Sequence, residues 1–140
     1  MRGRLSKAAE QFGLPFRGSD RLYNSRLAQE LGLWGESEGK GDEFHAAVFR
    51  AYFVDGKNIG SSGVLVELAS TVGLPADEAA AVLAKRTFKE AVDADWALSR
   101  EKLITAVPTL TMNQDRIVGA QPYEVFVELM EANRVERKVQ

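Results

Sequence analysis

The sequence of 140 residues has no cysteine and a single histidine, His45. Without cysteine the chain can form no disulfide, no thiolate-ligated metal centre and no thiol nucleophile. With one histidine, a multi-histidine metal site is excluded, and a Ser-His-Asp triad would have to use His45. No arrangement of serine and aspartate singles out that residue, so we interpret it as a partly exposed helix residue. We therefore predict no catalytic residue and no metal site.

Long apolar runs and an excess of one charge are also absent. No run of about 18 apolar residues predicts a membrane-spanning helix, and the basic N-terminus is not followed by the apolar core of a signal peptide. Eighteen Lys and Arg against 20 Asp and Glu give a net charge of −2, which provides no basic field for a nucleic acid. We expect a cytoplasmic protein that binds neither membrane nor nucleic acid.

The residues that are present favour a globular, mostly helical chain. Hydrophobic residues make up 45% and charged residues 27% of the sequence, which is enough for a core at this length. Apolar residues recur at helical spacing through most of the chain. The predicted helices are 4–12, a segment that Asn24 caps, a segment that Asp42 caps, 64–72, and 79–99 with a break near Arg86.

The helix after Asp42 has an unusually wide apolar stripe. Phe44, Val48 and Tyr52 recur at three- and four-residue spacing, and Phe49 and Phe53 widen the stripe. A stripe of this width predicts a helix that is buried on most sides.

The pattern changes after about residue 100. Polar and apolar residues alternate over 109–112, a turn follows at 113–115, and 116–118 is a second short strand, so the two form a hairpin. Pro122 then begins a last helix over 123–133. The predicted class is α+β, with a helical domain over 1–103 and a β-β-α segment over 104–140, together forming one compact unit. Two short strands leave unpaired edges, so we expect another strand or another chain beside them.

Several local strings occur in an order and at a spacing that resemble a known family. They are Gly13-Leu14-Pro15-Phe16, Asn24-Ser25-Arg26-Leu27-Ala28, Phe49-Arg50-Ala51-Tyr52-Phe53, Ala106-Val107-Pro108-Thr109 and Gly119-Ala120-Gln121-Pro122. The set resembles the DsbA-like branch of the thioredoxin superfamily. Within that branch it is most similar to the subgroup of FrnE-type oxidoreductases and 2-hydroxychromene-2-carboxylate isomerases.

The resemblance implies a partial thioredoxin-like fold. Residues 1–103 would correspond to the helical insertion domain of that family, and 104–140 to the C-terminal half of the thioredoxin motif. The family's first strand and its Cys-x-x-Cys motif have no counterpart in this sequence. We therefore expect a relative of the thiol-disulfide oxidoreductases that has no redox activity in this chain.

The resemblance also suggests where a ligand would bind. It implies a cis Val107–Pro108 bond in a substrate-binding loop of Ala106, Val107, Pro108 and Thr109, whose backbone would pair with an extended peptide or with glutathione. No other cofactor is expected.

The segment Gly119, Ala120 and Gln121 has two interpretations. Its free N–H groups could contact an anion or glutathione at a helix N-terminus, or the segment could simply begin a helix.

Two alternatives to the oxidoreductase-related function stay open. The chain could be a glutathione- or peptide-binding module, or a structural protein that associates with itself. The unpaired hairpin edge favours a homodimer.

Overall fold

A computed structural model of the chain describes residues 2–18, 21–136 and 138. Over these ranges the elements are α1 Arg2–Gln11, α2 Arg26–Ser37, α3 Gly41–Phe53, α4 Ser62–Thr71, α5 Ala76–Lys85, α6 Lys89–Glu101, β1 Thr109–Met112, β2 Asp115–Val118 and α7 Tyr123–Ala132. The predicted class, mostly helical α+β, is confirmed.

The chain divides into two compact units, Met1–Asp93 and Ala94–Gln140. The division lies within α6, whereas the predicted boundary at 103/104 follows the end of that helix. The two units are called the helical unit and the hairpin unit below.

Two predicted helix caps are displaced by one or two residues. The N-cap of α2 is Ser25, and the Asn24 side chain instead accepts a hydrogen bond from the Arg26 N–H at 2.8 Å. The N-cap of α3 is Lys40, and Asp42 lies in the first turn. Both displaced residues still stabilise the helix start, because one satisfies a free N–H and the other places a negative charge at the positive end of the helix dipole.

The predicted break near Arg86 is confirmed. Arg86 has φ 53°, in the left-handed region, and it ends α5. Its N–H donates to the carbonyl of Leu83 at 3.3 Å, and α6 begins three residues later. A left-handed residue of this kind ends a helix by satisfying its last carbonyl groups.

The helical unit has a continuous apolar core between α2, α3, α4 and α5. Leu31, Phe44 and Leu65 have no solvent-exposed surface. Trp34 is 4% exposed. The helical periodicity of the sequence thus places its largest apolar side chains on the faces that meet.

The prediction that α3 is buried on most sides is wrong at two positions. Phe49 is 63% exposed and Phe53 is 37% exposed. Their rings lie beside a surface cavity rather than against a neighbouring helix. An apolar stripe identifies the hydrophobic face of a helix, but it does not show whether another element covers that face.

The hairpin unit contains an antiparallel pair of strands. Thr109 lies opposite Val118, and Met112 lies opposite Asp115. β2 thus begins one residue earlier than predicted, and Asn113, with φ 52°, forms the turn. Asparagine adopts this left-handed conformation more readily than most residues.

The last helix follows the hairpin closely. Pro122 is the N-cap of α7 rather than its first helical residue. Ile117 and Leu129 are the buried hydrophobic side chains among the described residues from 94 onward. The Asn133 amide joins the end of α7 to the hairpin, because it donates to Asp115 at 2.9 Å and accepts from Asn113 at 2.7 Å.

Candidate functional site

The predicted substrate-binding loop lies at the start of β1. The Val107–Pro108 peptide bond is cis, and Val107 is 88% exposed. The Thr109 hydroxyl donates to the carbonyl of Ala106 at 2.6 Å and closes the loop. The backbone of Val107 has no hydrogen-bond partner among the residues that the structure describes.

The structure brings the two predicted site segments together. The Gly119 N–H donates to the carbonyl of Pro108 at 2.8 Å and extends the hairpin by one pair. In an antiparallel pair, hydrogen-bonded and non-bonded positions alternate. Since the pair of Pro108 and Gly119 is bonded, Thr109 and Thr111 fall at non-bonded positions. Their N–H and C=O groups therefore point away from β2.

These outward groups form one open edge, called the β1 edge here. It consists of the backbone of Val107, Thr109 and Thr111. No described residue pairs with it, since the sheet formed by the described residues has two strands only. The β1 edge can accept a further extended strand through backbone hydrogen bonds.

The opposite edge of the hairpin is partly covered. The Gln121 side chain donates to the carbonyl of Val118 at 2.9 Å. The Arg116 guanidinium turns back to the carbonyls of Lys102 and Leu103, at 2.6 and 3.1 Å. The Arg116 contacts are made by its side chain, and the outward backbone N–H groups of Arg116 and Val118 have no partner among the described residues. The two edges differ in that a side chain bonds one backbone group of the β2 edge and none of the β1 edge.

The segment Gly119 to Gln121 is mostly engaged within the hairpin. The Gly119 N–H and the Gln121 side chain already have partners. The backbone N–H groups of Ala120 and Gln121 have no hydrogen bond among the described residues. The interpretation of this segment as a helix start accounts for Gly119 and for the Gln121 side chain, and a ligand contact at the two free N–H groups stays a prediction.

The helical unit has a separate cavity of about 500 Å³, called the aromatic cavity here. Its lining residues come from α2, α3 and the segments beside them: Tyr23, Ser25, Ala28, Gln29, His45, Val48, Phe49, Tyr52, Phe53 and Ile59. The Tyr52 and Phe53 rings meet edge to face at 4.8 Å, and Phe49 stacks on Phe53 at 6.2 Å. The sequence analysis did not identify this cavity, although its string Phe49 to Phe53 supplies one wall.

Close packing of α2 and α3 positions His45 at the rim of the aromatic cavity. A Cβ atom on Gly32 would lie 2.7 Å from Nε2 of His45, so a larger residue at position 32 would require the imidazole to move. The same Nε2 lies 3.9 Å from a carboxylate oxygen of Glu36, and both side chains are about half exposed. This distance is too long for a hydrogen bond. His45 is the partly exposed helix residue that we predicted.

A buried carboxylate is the strongest electrostatic feature of the helical unit. The Glu30 side chain is 1% exposed. It accepts two hydrogen bonds from Arg86, at 2.6 and 2.7 Å, and one from Arg26 at 2.7 Å. The hydrogen bond from Arg86 lowers the pKa of Glu30, burial opposes this shift, and the bond from Arg26 adds to it. The carboxylate is saturated with donors, so its role is to join α2 to the end of α5.

The charged network continues onto α6. Arg26 also donates to Asp93 at 2.6 Å, and Lys89 bonds the other oxygen of Asp93 at 2.7 Å. Lys89 first and Arg26 second hold the pKa of Asp93 below its ordinary value. The sequence analysis missed this network, although Arg26 with Glu30 and Lys89 with Asp93 have the four-residue spacing of helical ion pairs.

Neither a metal centre nor a membrane span is found in the described part of the chain. No three His, Asp or Glu side chains among the residues of these ranges could hold one metal ion. No helix within the same ranges is both long and apolar enough to cross a bilayer.

Comparison with known families identifies the fold. The model of the DSBA-like thioredoxin domain matches residues 1–131. The chain therefore belongs to the DSBA-like thioredoxin domain family, which confirms the resemblance drawn from the sequence strings. The fold is that of a DsbA-like protein, and the chain carries no cysteine.

Individual relatives agree with this assignment. The uncharacterized protein YwbO of Bacillus subtilis is 35% identical over 101 residues, which cover 71% of this chain and 50% of YwbO. The solved structure of a probable DsbA oxidoreductase from Streptomyces coelicolor has 29% identity and a TM-score of 0.85 over 99% of this chain and 61% of that chain. A solved structure from Nitrosomonas europaea, 20% identical with a TM-score of 0.72, covers 93% of this chain and 70% of that one, and shows the same fold. This chain thus spans half the length of YwbO and less than two thirds of the Streptomyces protein.

Proposed function

We propose that this chain is a DsbA-family protein that binds an extended polypeptide at the β1 edge and does not itself catalyse thiol–disulfide exchange. The observation that carries the proposal is the open backbone of Val107, Thr109 and Thr111 in a chain without cysteine. Exchange proceeds by attack of a thiolate on a disulfide sulfur, and this sequence provides none. On this proposal the protein binds a polypeptide as the family fold would allow, but it does not catalyse thiol–disulfide exchange.

The spacing of the open groups favours a peptide over glutathione. Alternate residues of a strand are about 7 Å apart, so the three outward positions cover the length of several residues of an extended chain. Glutathione has the length to reach Val107 and Thr109 but not Thr111 as well. We therefore place glutathione second, as a ligand of the loop of Ala106, Val107, Pro108 and Thr109.

An insulin-reduction assay tests the first half of the proposal. With dithiothreitol as reductant, the pure chain should precipitate insulin no faster than buffer alone. The positive control is a cysteine-containing DsbA-family enzyme at equal concentration. Rate acceleration by the pure chain would overturn the claim that it has no exchange activity.

A backbone variant tests the second half. The Thr111 N–H points away from β2, so Thr111→Pro removes an edge donor and leaves the hairpin bonds in place, as edge strands allow. Thr111→Ala is the matched control, because it keeps the N–H. The probe is a soluble heptapeptide in which valine and threonine alternate between terminal lysines.

In wild type we expect a saturable shift of the amide resonances of residues 109 and 111. Thr111→Ala keeps both backbone amides and should show the same shifts. Thr111→Pro should weaken the affinity about tenfold or more, since it blocks strand addition. Equal affinity of Thr111→Pro and Thr111→Ala would overturn the β1 edge as the site. With reduced glutathione as the probe, shifts confined to the loop at Val107 and Thr109 would assign the site to the smaller ligand.

A second candidate function rests on the same open edge. We propose that, without a peptide, the β1 edge pairs with its counterpart in a second copy and forms a two-fold homodimer. Sedimentation equilibrium at micromolar concentration should show a species of twice 15.4 kDa, and Thr111→Pro should convert it to the monomer. A single species near 15.4 kDa in wild type would overturn the dimer.

Two finer assignments belong to the same proposal. The quoted strings favour the subgroup of FrnE-type oxidoreductases and 2-hydroxychromene-2-carboxylate isomerases. We also propose a cytoplasmic location, which fractionation of cells that express the intact gene product would test.

A further inference from the structure

The aromatic cavity is lined by residues of the helical unit, whereas the β1 edge belongs to the hairpin unit. We propose that the aromatic cavity binds a small, uncharged molecule that carries at least one ring and one hydrogen-bonding oxygen. Its volume of about 500 Å³ falls within the range of sites that hold small organic ligands.

The walls of the aromatic cavity favour a ring-bearing ligand. Phe49 is 63% exposed on α3, although it stands beside the other rings. Tyr52 and Phe53 meet edge to face at 4.8 Å, and Phe53 stacks on Phe49 at 6.2 Å, so each ring is held by a neighbour. A ligand ring against Phe49 would remove its exposed face from water and gain an aromatic contact. Because the walls are already packed, little ordering is needed on binding.

The rim of the aromatic cavity supplies the polar contacts. The His45 imidazole has its nearest carboxylate at 3.9 Å, which leaves the imidazole nitrogen able to bond a ligand oxygen. The Ser25 hydroxyl accepts from the Gln29 amide at 2.9 Å and keeps its own proton to donate. Ser25 is the N-cap of α2, and His45 lies beside Gly32, further along the same helix. Each can therefore bond a hydroxyl or carbonyl oxygen at its own part of the cavity.

The charge of the described part of the lining favours an uncharged ligand. None of the described residues that line the aromatic cavity is Lys, Arg, Asp or Glu. A charged group of either sign on the ligand would lose its hydration without gaining a full opposite charge from these residues, which is unfavourable. The ligand class is therefore a neutral phenol, alcohol or ketone with a ring system.

Binding of 4-phenylphenol, a neutral probe with two rings and one hydroxyl, tests the proposal. The chain is labelled with carbon-13 in its phenylalanine and tyrosine rings, and the probe is titrated by NMR. Phe49→Ala removes an exposed wall of the aromatic cavity and spares the core. Phe12→Ala is the matched control, because Phe12 is 72% exposed and does not line the cavity.

We expect saturable shifts at Tyr52 and Phe53, a loss of about tenfold or more in affinity for Phe49→Ala, and a change of less than about twofold for Phe12→Ala. His45→Ala should weaken 4-phenylphenol about threefold to tenfold, since it removes one hydrogen bond. Equal losses for Phe49→Ala and Phe12→Ala, or no saturable shift at Tyr52 and Phe53, would overturn the proposal.

The same titration separates this proposal from the peptide site. Thr111→Pro lies in the hairpin unit and should leave the affinity for 4-phenylphenol unchanged. A large effect of Thr111→Pro on that affinity would contradict the assignment of the ligand to the aromatic cavity. Failure of the heptapeptide to bind, in contrast, bears on the β1 edge alone.

Discussion

The helical unit and the hairpin unit differ in how many of their apolar side chains are buried and how many of their polar groups have hydrogen-bond partners. The helical unit encloses a continuous apolar core and saturates its buried carboxylate, Glu30, with donors from two arginines. In the described part of the hairpin unit, Ile117 and Leu129 are the buried apolar side chains, and one strand edge has no partner. A region whose apolar side chains are buried and whose polar groups are hydrogen-bonded contributes stability. A region with unpaired backbone N–H and C=O groups is a place where another chain can bind.

The two regions also differ in what their exposed apolar residues do. In the helical unit, Phe49 and Phe53 are exposed beside a formed cavity. In the hairpin unit, Val107 is 88% exposed directly before the open strand β1. The first arrangement suits a small molecule that fills a space, and the second suits a polypeptide that extends a sheet.

The largest expected effect comes from the core of the helical unit. Phe44 is fully buried, so Phe44→Ala should lower the free energy of unfolding by about 3–5 kcal/mol. The two tryptophans report on the two units, because Trp34 lies in the helical unit and Trp96 in the hairpin unit. Labelling with 5-fluorotryptophan and fluorine NMR in urea therefore follows each unit in one sample.

For Phe44→Ala, the urea midpoint of the Trp34 signal should fall, and that of Trp96 should fall less. Phe49→Ala is the control on the same helix. Since Phe49 is largely exposed, this variant should lower the free energy of unfolding, read from the Trp34 signal, by less than about 1 kcal/mol. If both tryptophan signals moved together in every variant, the units would unfold as one body and the contrast in stability would be lost.

The second effect concerns the buried carboxylate of the helical unit. Glu30→Gln keeps the shape of the side chain but removes the charge that Arg86 and Arg26 bond. We expect a loss of about 2 kcal/mol at pH 7, because arginine bonds to a buried carboxylate are stronger than bonds to an amide. Chemical denaturation, read from the Trp34 signal, measures this loss. A variant as stable as wild type would show that the charge is dispensable.

The same variant predicts a pH dependence. In the folded chain the hydrogen bond from Arg86 holds the pKa of Glu30 below its ordinary value of 4.5. The unfolded chain therefore binds more protons near that pH, and the stabilisation is present above pH 4.5 and is lost as the pH falls through the folded-state pKa. The difference between wild type and Glu30→Gln should shrink as the pH falls below 4.5. A difference that grew in acid would contradict this sign.

The sequence predicted the elements more completely than the contacts between them. Spacing of apolar residues and the left-handed break at Arg86 are local properties, so the helices and the hairpin could be placed within a few residues. The partners of Glu30 could not be predicted, because Arg86 lies 56 positions away and only the packing of α2 against α5 brings them together. Likewise, the stripe at Phe49 and Phe53 showed apolar residues but could not show that they line a cavity.

The candidate site was predicted in part for the same reason. The strings at Ala106–Thr109 and Gly119–Gln121 directed attention to the two chain segments that flank the hairpin. Sequence alone could not show that the Gly119 N–H bonds Pro108, which sets the phase of the hairpin and turns Thr109 and Thr111 outward. The alternation of inward and outward backbone groups depends on the strand register. A shift of one residue would turn the backbone groups of Thr109 and Thr111 toward β2.

The smallest expected effect concerns the bonds that join α7 to the hairpin. Asn133 donates to Asp115 at 2.9 Å and accepts from Asn113 at 2.7 Å. Asn133→Ala removes both bonds, together with a third from the same amide to the Leu129 carbonyl at 2.9 Å, and should destabilise the hairpin unit by about 1 kcal/mol. Faster hydrogen exchange at the Ile117 amide and a lower Trp96 midpoint would measure the loss, while the Trp34 midpoint should stay unchanged.

A charge variant at the same position sharpens this test of the hairpin unit. Asn133→Asp loses the amide donor and places a carboxylate beside Asp115, so at neutral pH it should destabilise the unit more than Asn133→Ala does. Protonation in acid relieves the repulsion, and the difference between the two variants should then shrink. If both variants left Ile117 exchange unchanged at neutral pH, the hairpin would owe its order to something other than these bonds. The contrast between a self-sufficient helical unit and a weakly held hairpin unit would then need another physical basis.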